Sequence, residues 1–232
     1  MTDLTRREVL QTAALGVAMF ATTEAAAQQV AEPTGPAWTR TLEPKGLPFD
    51  PKSLNGLSQK LIQSHWENNY VGAVKALNVV REKLRAQLTS QDPPYIYNGL
   101  KREHLIRTGS VVLHELYFGN LGGDGKPSAE LRSNIAKSFG SFTAWESEFR
   151  KIAQGLSGGS GWVVLGYNQH LQLLENYWQA DHAHNPPHTQ PVLVMDMYEH
   201  AYHLDFGAAA GKYIDAFFAN INWDEVGGRY QV

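Results

Sequence analysis

The chain has 232 residues, 43% of them hydrophobic, 11% aromatic and 19% charged, with a formal net charge of −3. That length holds one substantial core or two small lobes, and the slight acidity argues against a nucleic-acid binder, which carries a basic excess. With no cysteine, disulfides, thiolate metal sites and cysteine nucleophiles are excluded, so any metal must be held by His, Asp or Glu, a donor set that favours iron, manganese or zinc over copper(I).

Residues 1–27 read as an export signal. Arg6 and Arg7 precede the apolar run TAALGVAMFATT, and Ala25 and Ala27 stand at the small positions of a cleavage site. The run is too short to span a membrane. The paired arginines resemble a twin-arginine signal, which delivers folded cargo to the periplasm; an ordinary secretory signal or a lipid-proximal anchor is the alternative. Cleavage after Ala27 leaves 205 residues, and a cysteine-free chain suits that oxidising space.

Residues 28–52, with Pro33, Pro36, Pro44, Pro48 and Pro51, read as a linker and extended arm. A helical pattern then runs from Ser53 to about Leu88, with Leu57, Leu61, His65, Asn69, Ala73 and Leu77 at i+4 steps on one slowly drifting face. SQDPPYIYNG breaks it. A second helix is expected over about 101–119, with Ser110, His114 and Phe118 on one line, and GNLGGDGKP ends it at a lobe boundary. Residues 53–122 are therefore expected to form a helical hairpin domain and 123–232 a second domain. The second half opens with helical SAELRSNIAKSFGSFTAWESEFRKIAQGL. WVVLGYN and HLQLLENYW follow as two strands joined by a turn near Asn168 and Gln169, PVLVMDM as a third, and residues 199–218 as helix. The expected class is α+β: an N-terminal α-helical hairpin, then a C-terminal lobe with a small three-stranded antiparallel sheet.

The nine histidines carry the chemistry. His65 and His114 each sit mid-face on one arm of the hairpin, and neutral imidazoles buried in a core need partners, a metal being an efficient one. Asp196 and His200, four apart in DMYEHAYHL, suit a hydrogen-bonded pair, an acid/base couple or two ligands of one ion; spacing alone does not choose. Together the four residues make a three-His, one-carboxylate set suited to a first-row ion. His182, His184 and His188 lie in DHAHNPPH, read as a solvated loop that can bind metal adventitiously. His104 and His170 receive no role.

Several ordered stretches resemble the iron/manganese superoxide dismutase family: LPFDPKSL, IAKSFGSFTAWESEF with GSGWVVLGYN, DMYEHAYHL and INWDEVGGRY, which together reach from Leu47 to Tyr230. The resemblance implies that His65, His114, Asp196 and His200 bind one Mn or Fe ion per subunit, and that the substrate is the superoxide anion. It implies a fifth position for solvent, hydrogen-bonded by a Gln; Ser110 stands at the family's helix position for that Gln and Gln179 at its sheet position, the manganese-type arrangement. Trp162, Tyr198 and Phe118 fall on the aromatic shell that keeps the site dry. Glu199 falls on the residue that orients a partner subunit's ligand, implying a homodimer with Glu199 and His203 at its interface.

The chain also departs from the family pattern. Ala73 replaces a gate Tyr, Asn69 a His and His203 a Tyr; Tyr198 replaces a Trp, and Asn68 and Ala210 replace two basic residues that attract the anion. Lost cations predict weaker steering. Two further functional readings follow: a metal-handling module of the same fold with weak or lost dismutation, and a peroxidase-like enzyme with an opened channel.

Overall fold

The computed structural model describes residues 31–230; the export signal expected over 1–27 lies outside them. The arm crosses the first helices and is fastened there. Leu42 N donates to Asn78 Oδ1 and Asn78 Nδ2 donates back to Leu42 O, both at 2.9 Å, while Leu42, Leu47 and Phe49 pack on the core.

Helix α1 spans Gln59–Ser64 and starts later than Ser53, because Ser58 is the residue whose hydroxyl accepts from Leu61 N at 3.0 Å as the N-cap. Ser53 lies instead in a 3-10 turn, Pro51–Ser53. From α1 the chain passes through a π-helical segment, His65–Tyr70, into α2, Val71–Gln87. A π turn holds one residue more than an α turn, so the i+4 ladder slips at Asn69, while its other members Leu57, Leu61, His65, Ala73 and Leu77 are buried. Tyr70 is buried where the ladder would put Asn69, which is half-buried; Ala73, Val74 and Leu77 then face the core.

Helix α3, Pro94–Gly119, begins seven residues before the expected 101. Pro94 does not break it, since proline at the first helical position gives up only an N–H that has no partner there. Gly109, Ser110, Val111, Leu113, His114, Tyr117 and Phe118 are its buried residues. The Gly-rich segment after α3 is bound to the C-terminal region: Leu121 bridges Ile221, Gly123 N donates to Asn220 O, and a Cβ on Gly123 would lie 2.3 Å from Ile221 O. The run expected as continuous helix divides into α4, Ala129–Phe139, and α5, Phe142–Gly155, because Gly140 takes φ +80° between them.

The strands are β1, Trp162–Asn168, β2, Leu173–Gln179, and β3, Thr189–Asp196, all antiparallel in the order β2-β1-β3. β2 begins at Leu173 rather than His170, since Asn168 Oδ1 accepts from the N–H of His170 and of Leu171 and turns the chain there. The register places Gln179 opposite Trp162 and Trp162 opposite Asp196; directly paired residues share a face, so these three form one row across the sheet. The helix expected over 199–218 is interrupted. A 3-10 turn at Glu199–Ala201 and a single turn at His203–Phe206 precede Gly207 (φ +54°), then come α6, Ala210–Ala219, and α7, Trp223–Arg229.

One apolar cluster runs through these elements, from Leu61 and Leu77 through Trp145, Phe149 and the sheet to Phe217 and Val226. Among the described residues no helix is long and apolar enough to cross a membrane.

Candidate metal centre

Four donors meet where the hairpin lies against the end of the sheet. His65 comes from the π segment, His114 from the middle of α3, Asp196 from the last position of β3, and His200 from the 3-10 turn after it. One ligand atom of each lies within 4.8 Å of the others. His65, His114 and Asp196 are buried, and His200 is part-exposed. The 3-10 turn answers the spacing question, because it folds His200 back onto the residue four before it.

The carboxylate divides its two oxygens. Oδ1 accepts from Tyr198 N at 2.8 Å, while Oδ2 faces Nε2 of His65 at 3.1 Å, of His200 at 3.2 Å and of His114 at 3.6 Å. Tyr213 Oη donates to the main-chain carbonyl of Asp196 at 2.6 Å, fixing the strand end from behind. His114 Nδ1 lies 2.7 Å from the carbonyl of Ser110. A carbonyl only accepts, so Nδ1 carries the proton and Nε2 presents its lone pair to the carboxylate. Two acceptors then face each other in a dry core, which is repulsive unless a cation lies between them. His114 Nε2 and His65 Nδ1 have no hydrogen-bond partner among the described residues. The donor set therefore fits a single metal ion.

The electrostatics agree. Burial pulls the His114 imidazole down to about 3, with His65 adding to the fall and Asp196 opposing it. Burial also lowers His65, against the pull of Asp196. For Asp196, burial works upward, but the charge of His200 and hydrogen bonds from His200 and His65 outweigh it and hold the carboxyl well below its usual range. Neutral imidazoles beside an ionised carboxylate are the protonation states a metal requires.

An aromatic wall surrounds the donors. The Phe118 ring lies 5.0 Å from that of His65, the Trp162 ring 5.1 Å from that of His114, and Tyr198 stacks on His200 at 5.3 Å. All three expected shell aromatics therefore line the site. Burial and the nearby Asp196 charge push the Tyr198 phenol up to about 12, so it stays protonated.

Gln179 is fully buried in the row with Trp162 and Asp196, and neither polar atom of its amide has a partner among the described residues. The indole N–H of Trp162 is instead donated to His182 Nδ1 at 3.0 Å. His182 stacks on Tyr198 at 4.8 Å and 12°, its ring 6.0 Å from that of His114. This residue, read from sequence as part of a solvated loop, belongs to the site. The available signal was topological: the chain leaving β2 at Gln179 must turn beside the row that ends in Asp196. His184 and His188 are exposed, as expected, with His184 paired to Asp181 at 2.8 Å. Glu199 and His203 are exposed beside His200.

A helical hairpin on a three-stranded antiparallel sheet, with three imidazoles and one carboxylate at their junction, defines a mononuclear metal-binding α+β protein. Residues 127–229 match the family model described as iron/manganese superoxide dismutases, C-terminal domain. Relatives include "Superoxide dismutase [Fe]" of Cupriavidus metallidurans, 47% identical over 188 residues covering 81% of this chain and 95% of the relative. "Superoxide dismutase [Fe]" of Aquifex pyrophilus is 38% identical, covering 82% and 91%. "Superoxide dismutase [Mn] 1" of Halobacterium salinarum is 31% identical, covering 80% and 92%. The chain belongs to the iron/manganese superoxide dismutase family.

Proposed function

We propose that the protein is a superoxide dismutase working at one iron or manganese ion held by His65, His114, Asp196 and His200. Relatives named for iron and for manganese both support that cofactor. The observation that carries the ligand set is the single carboxylate oxygen faced by three imidazole Nε2 atoms in a buried pocket. When bound, the ion supplies one-electron chemistry, oxidising one superoxide to O₂ and reducing a second, which leaves as H₂O₂ after taking two protons.

The chain's own residues do the rest. Phe118, Trp162 and Tyr198 exclude water, which strengthens electrostatic interactions inside the pocket. Because Trp162 donates to His182 Nδ1, the proton of neutral His182 sits on Nε2. That atom and the amide of Gln179, which has no partner among the described residues, both serve the exchangeable ligand position. Such groups set the potential and the proton supply of the bound ion. Asn69 and Ala73 offer neither a phenol nor an imidazole, so the proton path runs along the His182 side.

The exposed Glu199 and His203, flanking the part-exposed His200, support a homodimer in which Glu199 orients the partner subunit's ligand. The twin-arginine-like leader supports action in the periplasm.

The test is protein loaded separately with Fe and with Mn and assayed for superoxide removal. At least one loaded form should far exceed the free aqueous ion, and His114→Ala or Asp196→Ala should abolish both metal retention and activity. A metal-replete protein no faster than the free ion would leave only a metal-handling role.

A further inference from the structure

Helix α3 carries a glycine that its backbone does not need. Gly109 lies in the helix interior without a positive φ, and a glycine there costs about 1 kcal/mol relative to alanine. Two other helical glycines, Gly72 and Gly99, have open space around them. Gly109 does not. A Cβ on it would lie 1.8 Å from the carbonyl oxygen of His182 and 2.8 Å from its carbonyl carbon. The loop after β2 therefore lies directly on the helix backbone, at the residue whose ring is at the metal centre.

Other contacts set the same residue. Asp181 Oδ1 accepts from Ala183 N at 2.7 Å and lies 2.8 Å from His184 Nδ1, forming a tight turn around His182. Trp162 holds Nδ1, and Tyr198 covers the ring face. The main chain is seated by Gly109 and the side chain by Trp162 and Tyr198, so the imidazole keeps one position relative to His114, five residues along the same helix.

We propose that Gly109 is a positioning residue: by letting the His182 main chain rest on α3 it fixes the distance of the His182 imidazole from the metal centre, and thereby which metal, iron or manganese, works there. The proposal rests on the reading of His182 given above. Any side chain at 109 must displace either the loop or the helix. The buried residues of the helix run from Gly109 to Phe118, whereas the loop is half-exposed, so the loop moves and the Trp162–His182 bond lengthens.

The test is a double-mutant cycle on metal-loaded protein, comparing Gly109→Ala, His182→Ala and the double variant. Three quantities are read: the midpoint of redox titration, the azide dissociation constant, and the ratio of iron-loaded to manganese-loaded activity. Gly109→Ala should shift the midpoint in the same direction as His182→Ala, change the activity ratio by about tenfold, and add nothing once His182 is gone. Gly99→Ala, on the same helix but in open space, should leave all three unchanged. The proposal is overturned if Gly109→Ala leaves midpoint and azide affinity at parent values, or if its effect adds in full to that of His182→Ala. Should Gly109→Ala fail to fold, Trp162→Phe releases His182 from the other side and must produce the same non-additive shift. Loss of dismutation in every form, with the azide and midpoint couplings intact, would instead count against the enzymatic reading alone. A silent His182→Ala would count against the role of His182.

Discussion

Mild acid should destabilise the metal-free protein well above the pH at which Asp196 titrates. Burial takes His114 from 6.5 down to about 3. Between those values the unfolded chain binds a proton that the folded chain refuses. Stability from this group is therefore complete above the unfolded value and falls, as pH drops, by about 1.4 kcal/mol per unit. From pH 6.5 to about pH 5 the loss from His114 is about 2 kcal/mol, a large share of a typical domain's 5–15. His65 is lowered by the same cause and acts in the same direction. Asp196 acts in the same direction over a lower range: its carboxyl is depressed, so its contribution is present above its unfolded value and is lost only in stronger acid. The assay is urea unfolding of chelator-treated protein at a series of pH values, read as the midpoint at constant slope. His114→Gln, which cannot titrate, should flatten the dependence. A midpoint that does not change between pH 6.5 and 5, or an unaltered slope in the variant, would refute the claim that these imidazoles are held neutral by burial.

Three other outcomes are expected. Asn120 is fully buried, donates to Val194 O and accepts from Arg229 Nη1 at 2.6 Å, so Asn120→Ala should lose about 3 kcal/mol in urea unfolding by stranding both partners. Asn68 is exposed and Ala210 is buried, so neither supplies a cation near the site; superoxide removal should change less than about twofold with ionic strength, and Asn68→Lys should restore salt sensitivity. Glu199→Ala should shift the protein toward monomer in sedimentation and weaken metal retention, while a dimer of parental strength would remove Glu199 from the interface.

The class of fold could be read from periodicity and residue type, which also brought forward the three-His, one-carboxylate foursome; it was the resemblance to the family that implied those four as ligands of one ion. Strands with β-branched runs and helices with buried imidazoles announce themselves. What failed did so for local reasons. A π turn at His65–Tyr70 has no compositional mark, so the i+4 ladder seemed to continue through Asn69. Pro94 was taken as a breaker, although at a first helical position it is a starter. The helix over 199–218 was expected from apolar spacing that Gly207 interrupts. His182 was missed because its role comes from three contacts with residues 73 positions before it, 20 before it and 16 after it, none visible in the loop's own composition.

The four donors stand at positions 65, 114, 196 and 200, so His65 and Asp196 are separated by 131 residues. An ion gripped between them acts as a removable cross-link that closes most of the folded chain into one ring. Closing a loop of that size removes about 5 kcal/mol of unfolded-state freedom on the scale known for disulfides. A chain without a single cysteine thus gains, through its cofactor, the tether that secreted proteins usually draw from sulfur. Stripping the ion should therefore loosen the union of hairpin and sheet as a whole, rather than the pocket alone.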